Sequence, residues 1–109
     1  MFVYNPKNNN FTKCDIKGIP IGVDQNFDFD RKTLKIESGS IGILYSDGFS
    51  SAINESGEKF SLDMVKNLIS NNAGDSVDVL TRKIYYELDK FIGKKRQVND
   101  ISLILFKTD

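Results

Sequence analysis

The sequence predicts an α+β domain: an antiparallel β-sheet with two helices packed on one face. Three observations predict it. Short apolar segments crowd the first half of the chain. Two stretches of helical periodicity follow. A last apolar run, residues 101–106, then returns. Strands grouped ahead of helices favour α+β over alternating α/β. The final run must re-enter a sheet already built, beside residues 41–46.

The elements follow in chain order. Residues 2–4 and 11–16 read as strands, and "NPKNNN" between them reads as a turn, because Pro and successive Asn residues suit turn geometry. "GIPIGV" is a loop with apolar anchors. Phe27 and Phe29 alternate, as do Leu34 and Ile36, which predicts two half-buried strands with a tight turn at 31–33. "SGS" punctuates at 38–40, and residues 41–46 form an almost continuous apolar run, the pattern of a buried strand. After Gly48 no strand pattern resumes. A short helical turn and a loop through 54–58 fit better.

Ser61 is placed to cap a helix through Leu62, Val65, Leu68 and Ile69. Asp75 or Ser76 opens a longer one, with Val77, Leu80, Ile84, Leu88 and Phe91 in one stripe and Gly93 placed to end it. "KKRQ" is a solvated link. Residues 101–106 are apolar on both faces and predict a central strand.

At 109 residues the chain is one domain, able to bury about two thirds of its unfolded surface. The net charge is zero, which argues against a nucleic-acid or anionic-membrane binder. No apolar run reaches membrane-spanning length, so membrane insertion is not expected. The single cysteine, Cys14, allows no internal disulfide and fits a reducing, cytoplasmic setting. It reads as a small apolar strand residue. Histidine is absent, which excludes Ser-His-Asp and Cys-His catalysis and His-ligated zinc. Any hydrolysis would rely on carboxylates, with or without a metal.

Two polar stretches flank the buried strands. Asp47-Gly48 follows the run at 41–46, and Asn99-Asp100 precedes the run at 101–106. If those strands are antiparallel neighbours, the two stretches converge at one edge of the sheet. Converging carboxylates repel unless something neutralises them, and a hard divalent cation such as magnesium or manganese suits oxygen ligands. Such an ion can also turn a bound water into a nucleophile. The alternative is that Asp-Gly is a hairpin corner and Asn-Asp merely a turn. The acids of "DFD", Asp28 and Asp30, read as a solvated face.

The ordered set resembles the C-terminal half of a PPM-type metal-dependent protein phosphatase domain, in the bacterial sporulation stage II E / RsbU-like branch. The residues that carry the resemblance are Pro20-Ile21-Gly22, Gly39-Ser40, Tyr45-Ser46-Asp47-Gly48, Asn54 with Gly57-Glu58-Lys59-Phe60, and Asn99-Asp100-Ile101-Ser102. They extend over residues 2–107. The resemblance implies an αββα sandwich with a two-metal site at one end. It implies hydrolysis of phosphoserine or phosphothreonine on a regulatory protein, such as an anti-sigma-factor antagonist. It makes Asp47 a metal ligand, Gly48 the residue that permits a close turn beside it, and Asn99 or Asp100 the last ligand. The ion would be manganese or magnesium.

Three positions depart from the family pattern. Asn99 stands where an acid is usual and brings no charge, Gly39-Ser40 replaces Gly-Asp, and Ser51 replaces an acid. The resemblance also implies that the N-terminal half, with its bridging acid, lies outside this chain. The opening strand pattern "MFVY" fits that expectation. The fragment alone is then expected to be inactive. A half sandwich leaves one sheet face open, which predicts an apolar patch of Phe2, Tyr4, Phe27 and Phe29 and self-association. The rival readings are a non-catalytic, phosphatase-derived interaction module and a plain α+β domain.

Overall fold

The computed structural model describes residues 1–109. Its elements are β1 (Phe2–Asn5), β2 (Asn10–Lys13), β3 (Ile41–Tyr45), α1 (Asp47–Ser50), α2 (Leu62–Asn71), α3 (Val77–Ile92) and β4 (Leu103–Lys107). The four strands form one sheet in the order β2-β1-β3-β4, antiparallel throughout. The α+β class is therefore the observed one.

The β1–β2 hairpin turns through Asn chemistry. The Asn5 Oδ1 accepts from the Lys7 N–H, and the Asn8 Oδ1 accepts from the Asn10 N–H. Asn9 takes a left-handed conformation at φ 52°, which Asn tolerates better than most residues. β2 stops at Lys13, so Cys14 lies just beyond it and is half-buried.

Pairings of Phe2 with Ile43 and of Tyr4 with Ile41 place those four side chains on one face. Leu103 and Leu105 join that face from β4. α2 and α3 cover it with Val65, Ile69, Leu80, Ile84 and Leu88. The Ser61 Oγ accepts from the Asp63 N–H at the start of α2, and the Ser76 Oγ from the Val79 N–H at the start of α3. Each satisfies a donor the helix leaves orphaned. A row of aromatic contacts runs from Phe11 through Phe2, Tyr45, Phe49 and Phe60 to Phe91, with neighbouring centroids 5.3–5.9 Å apart.

Four expectations are corrected. Residues 24–37 hold no strand. Phe27 and Phe29 stack on each other edge to face, 4.9 Å between centroids, and Leu34 and Ile36 line a hollow with Val3. The alternation here marks partial shelter of Phe27, Leu34 and Ile36 without a ladder, and Phe29 stays exposed. Second, β4 is an edge strand rather than a central one, and it begins at Leu103. Third, the link at 94–97 is not wholly solvated, because the Gln97 side chain is hydrogen-bonded to Ile53. Fourth, Phe2 and Tyr4 are buried under the helices and form no surface patch. The open apolar side chains of the sheet are Leu44 and Ile104, on the opposite face.

Candidate functional site

β3 and β4 pair from Ile41↔Lys107 to Tyr45↔Leu103. Continuing that register sets Ser46 opposite Ser102 and Gly48 opposite Asp100. The backbone follows it, since the Ser46 N–H donates to the Ser102 carbonyl at 3.0 Å. The Ser46 hydroxyl closes the corner. It donates to the Asp100 carbonyl at 3.2 Å and accepts from the Ser102 N–H at 3.0 Å. Ser46 is the N-cap residue of α1, yet its side chain makes no capping bond there, because the hydroxyl is committed to Asp100 and Ser102 on the approach to β4.

Asp47-Gly48 is no hairpin corner. β3 pairs with β1 and β4, both remote in sequence, and the chain enters α1 at Asp47. Gly48 is buried against the other stretch. A Cβ built there would collide with the Asp100 carbonyl oxygen and lie 2.8 Å from its carbon and 3.2 Å from the Asn99 oxygen. Only glycine lets the two backbones close to this distance. Phe49, fully buried between Tyr45 and Phe60, anchors the helical turn from below.

The structure thus brings together all four residues singled out from the sequence: Asp47, Gly48, Asn99 and Asp100. The side chains of Asp47, Asn99 and Asp100 are exposed at this end of the sheet. Two carboxylates and one amide carbonyl are oxygen donors of the kind a hard divalent cation takes, and the contact that joins the two stretches is one of backbone. No group of three His, Cys, Asp or Glu side chains assembles anywhere in the chain. Two carboxylates would fill only part of a six-oxygen shell, so most ligands must come from water or other protein.

Other expected features lie apart from the corner. Gly39-Ser40 sits at the far end of β3, in a turn closed by the Ser40 N–H on the Glu37 carbonyl, with Gly39 at φ 83°. Type II turns require that positive φ. Ser51 follows α1 and is exposed. Asp28 and Asp30 are exposed. No helix is long and apolar enough to cross a membrane.

The roles of two residues escaped sequence reasoning. Ser46 entered only as part of the Tyr45-Ser46-Asp47-Gly48 stretch. Gln97 is the uncharged member of a basic run, and that contrast was the available clue. Its amide bonds Ile53, in the segment that follows α1.

The chain matches the family model for Stage II sporulation protein E (SpoIIE) over residues 1–109, and it belongs to that family. Among curated proteins it is similar to phosphoserine phosphatase RsbU of Bacillus subtilis (strain 168), 30% identical over 89 residues. That alignment covers 82% of this chain and 26% of the relative, so the chain spans about a quarter of the protein it matches. No solved structure matches.

Proposed function

We propose that this chain, as a single unit over residues 1–109, is the C-terminal part of a PPM-type, metal-dependent phosphoprotein phosphatase domain acting in the cytoplasm. Asp47 offers one carboxylate ligand, and Asn99-Asp100 offers the other oxygen donors. Gly48 permits the two backbones to meet. A bound manganese or magnesium ion supplies a water of lowered pKa. The chain's own part is to hold charge and geometry at the sheet end, with Ser46 fixing Asp100 from below. The substrate class is a phosphoserine or phosphothreonine of a regulatory protein, for which an anti-sigma-factor antagonist is the candidate. The name of the relative, a phosphoserine phosphatase, supports that class.

The observation that carries the reading is the seating of Gly48 on the Asn99-Asp100 backbone. It unites the two stretches that the family resemblance makes functional. The remaining ligands come from the other half of the domain, so the 109-residue chain alone is expected to be inactive. The test is manganese-dependent hydrolysis of a phosphoserine protein by the chain together with its upstream half-domain. Asp47→Ala should lower the rate at least as much as loss of an outer-shell partner does, about 10–100-fold. An unchanged rate in Asp47→Ala, or no hydrolysis by the assembled domain, overturns the proposal.

One observation favours a second reading, a non-catalytic interaction module. Asn99 brings no charge, and no third acid joins the pair. Calorimetric titration of the assembled domain with manganese separates the two. Binding that disappears in Asp47→Ala supports the phosphatase, and absence of binding supports the module.

A further inference from the structure

Between the end of α3 at Ile92 and the start of β4 at Leu103 the chain has no regular structure. Such a stretch samples many conformations unless side chains fix it. The side chains of Val98, Asn99 and Asp100 are exposed, and packing reaches only the Asn99-Asp100 backbone, against Gly48. Hydrogen bonds add to that hold on either side.

The downstream tie is Ser46, on the Asp100 carbonyl and the Ser102 N–H. The upstream tie is Gln97. Its Oε1 accepts from the Ile53 N–H at 3.1 Å, and its Nε2 donates to the Ile53 carbonyl at 3.1 Å and to the Lys95 carbonyl at 3.0 Å. One side-chain amide therefore satisfies both backbone groups of one residue, as a neighbouring strand would. Close by, the Glu55 Oε1 accepts from the Lys94 N–H at 3.1 Å.

Ile53 is a firm point to tie to. It forms a bridge with Lys59, and its neighbour Ala52 is buried and accepts from the Phe60 N–H at 2.8 Å. The same segment carries Asp47-Gly48 at its start. A chain reaches at most about 3.3–3.6 Å per residue, so tying residue 97 confines residue 100 to within about 11 Å of it.

We infer that Gln97 is a positioning residue: its amide holds the Asn99-Asp100 turn against the Asp47-Gly48 corner. The metal role given to that corner is the reading above, on which the functional consequence rests. The tie itself stands on the hydrogen bonds.

The test uses NMR on the chain assembled with its upstream half-domain, with manganese as a paramagnetic probe. In the wild type, amide signals of Asp47-Gly48 and Asn99-Asp100 should broaden over the same manganese range. In Gln97→Ala, the shifts of Asn99 and Asp100 should move while those of the helices stay. The manganese needed to broaden Asn99-Asp100 should rise about tenfold, as for loss of an outer-shell partner, and that for Asp47-Gly48 should rise less. Gln97→Glu is the isosteric check. Its carboxylate accepts from the Ile53 N–H but sets an oxygen against the Ile53 carbonyl. The Ile53 and Asn99-Asp100 shifts should therefore move in Gln97→Glu as they do in Gln97→Ala.

Unmoved Asn99-Asp100 shifts in Gln97→Ala overturn the inference, as does an Ile53 shift in Gln97→Glu that stays at its wild-type value. A wild type with no manganese broadening overturns the metal reading alone. The shift changes then still decide the role of Gln97.

Discussion

The two faces of the sheet are built from the same strands and fare differently. On one, Phe2, Tyr4, Ile41 and Ile43 lie beneath α2 and α3 and are at most 4% exposed. On the other, Val3 is sheltered by the passing segment at 34–36, but Leu44 is 39% and Ile104 62% exposed. Between them, Phe106 lies across Gly42, where a Cβ would collide with its ring. The covered face does the work of folding. The open face keeps the alternation of a buried strand without a layer to bury it. In the proposed domain, that layer is the second sheet of the sandwich.

The comparison can be broken most directly from the covered side. Ile43 is fully buried at the centre of that face. Ile43→Ala should cost about 2–5 kcal/mol by chemical denaturation, the range for aliphatic core truncations. A loss below about 1 kcal/mol would mean that the covered face does not carry the stability. The open face should respond in another quantity. Ile104→Ser should leave stability within about 0.5 kcal/mol, as exposed substitutions usually do. It should also reduce the self-association expected of an open apolar face, read by sedimentation at several concentrations. A wild type that stays monomeric at every concentration contradicts that expectation.

The smallest effect belongs to the rim of the covered face, where Lys13 and Asp15 pair at 2.8 Å, both exposed. The hydrogen bond from Lys13, then its charge, holds the Asp15 carboxyl below its ordinary 3.8. The same hydrogen bond and charge raise the Lys13 ammonium above 10.5. The Asp15 contribution is present above the unfolded carboxyl value and lost as pH falls through the lower folded one. The Lys13 contribution is present below 10.5 and lost as pH rises through the higher folded value. Thermal melts of Asp15→Asn should thus differ slightly from wild type near neutrality. The gap should close below about pH 3.8 and above about pH 10.5. A gap that persists at low pH would locate the effect elsewhere.

The helices could be read from the sequence because their signals are local. Ser61 and Ser76 cap them, and Leu80, Ile84 and Leu88 repeat at helical spacing within one segment. The sheet could be read only in part, because a strand is defined by a partner. Phe27, Phe29, Leu34 and Ile36 alternate like strand residues but find no ladder. Residues 101–106 have the composition of a central strand, yet no strand of this chain lies beyond β4. The convergence of Asp47-Gly48 with Asn99-Asp100 followed from one assumption, that two buried runs are antiparallel neighbours. The ties at Ser46 and Gln97 did not follow. Hydrogen bonds from polar side chains to distant backbone leave no periodic trace.

The register of β3 against β4 has a kinetic side. Its partners are 58–66 residues apart, and those of β3 and β1 are 37–41 apart. Helical segments such as α2 and α3 relax in about a microsecond or less, while distant strand pairs await closure of a long loop. Gly48 and Asp100 lie at the short-loop end of the β3–β4 register, yet farther apart in sequence than any β1–β3 pair. The acidic corner is therefore expected to form after β1 and β3 pair and as the docking of β4 begins. A probe placed there would time the arrival of β4 at the sheet.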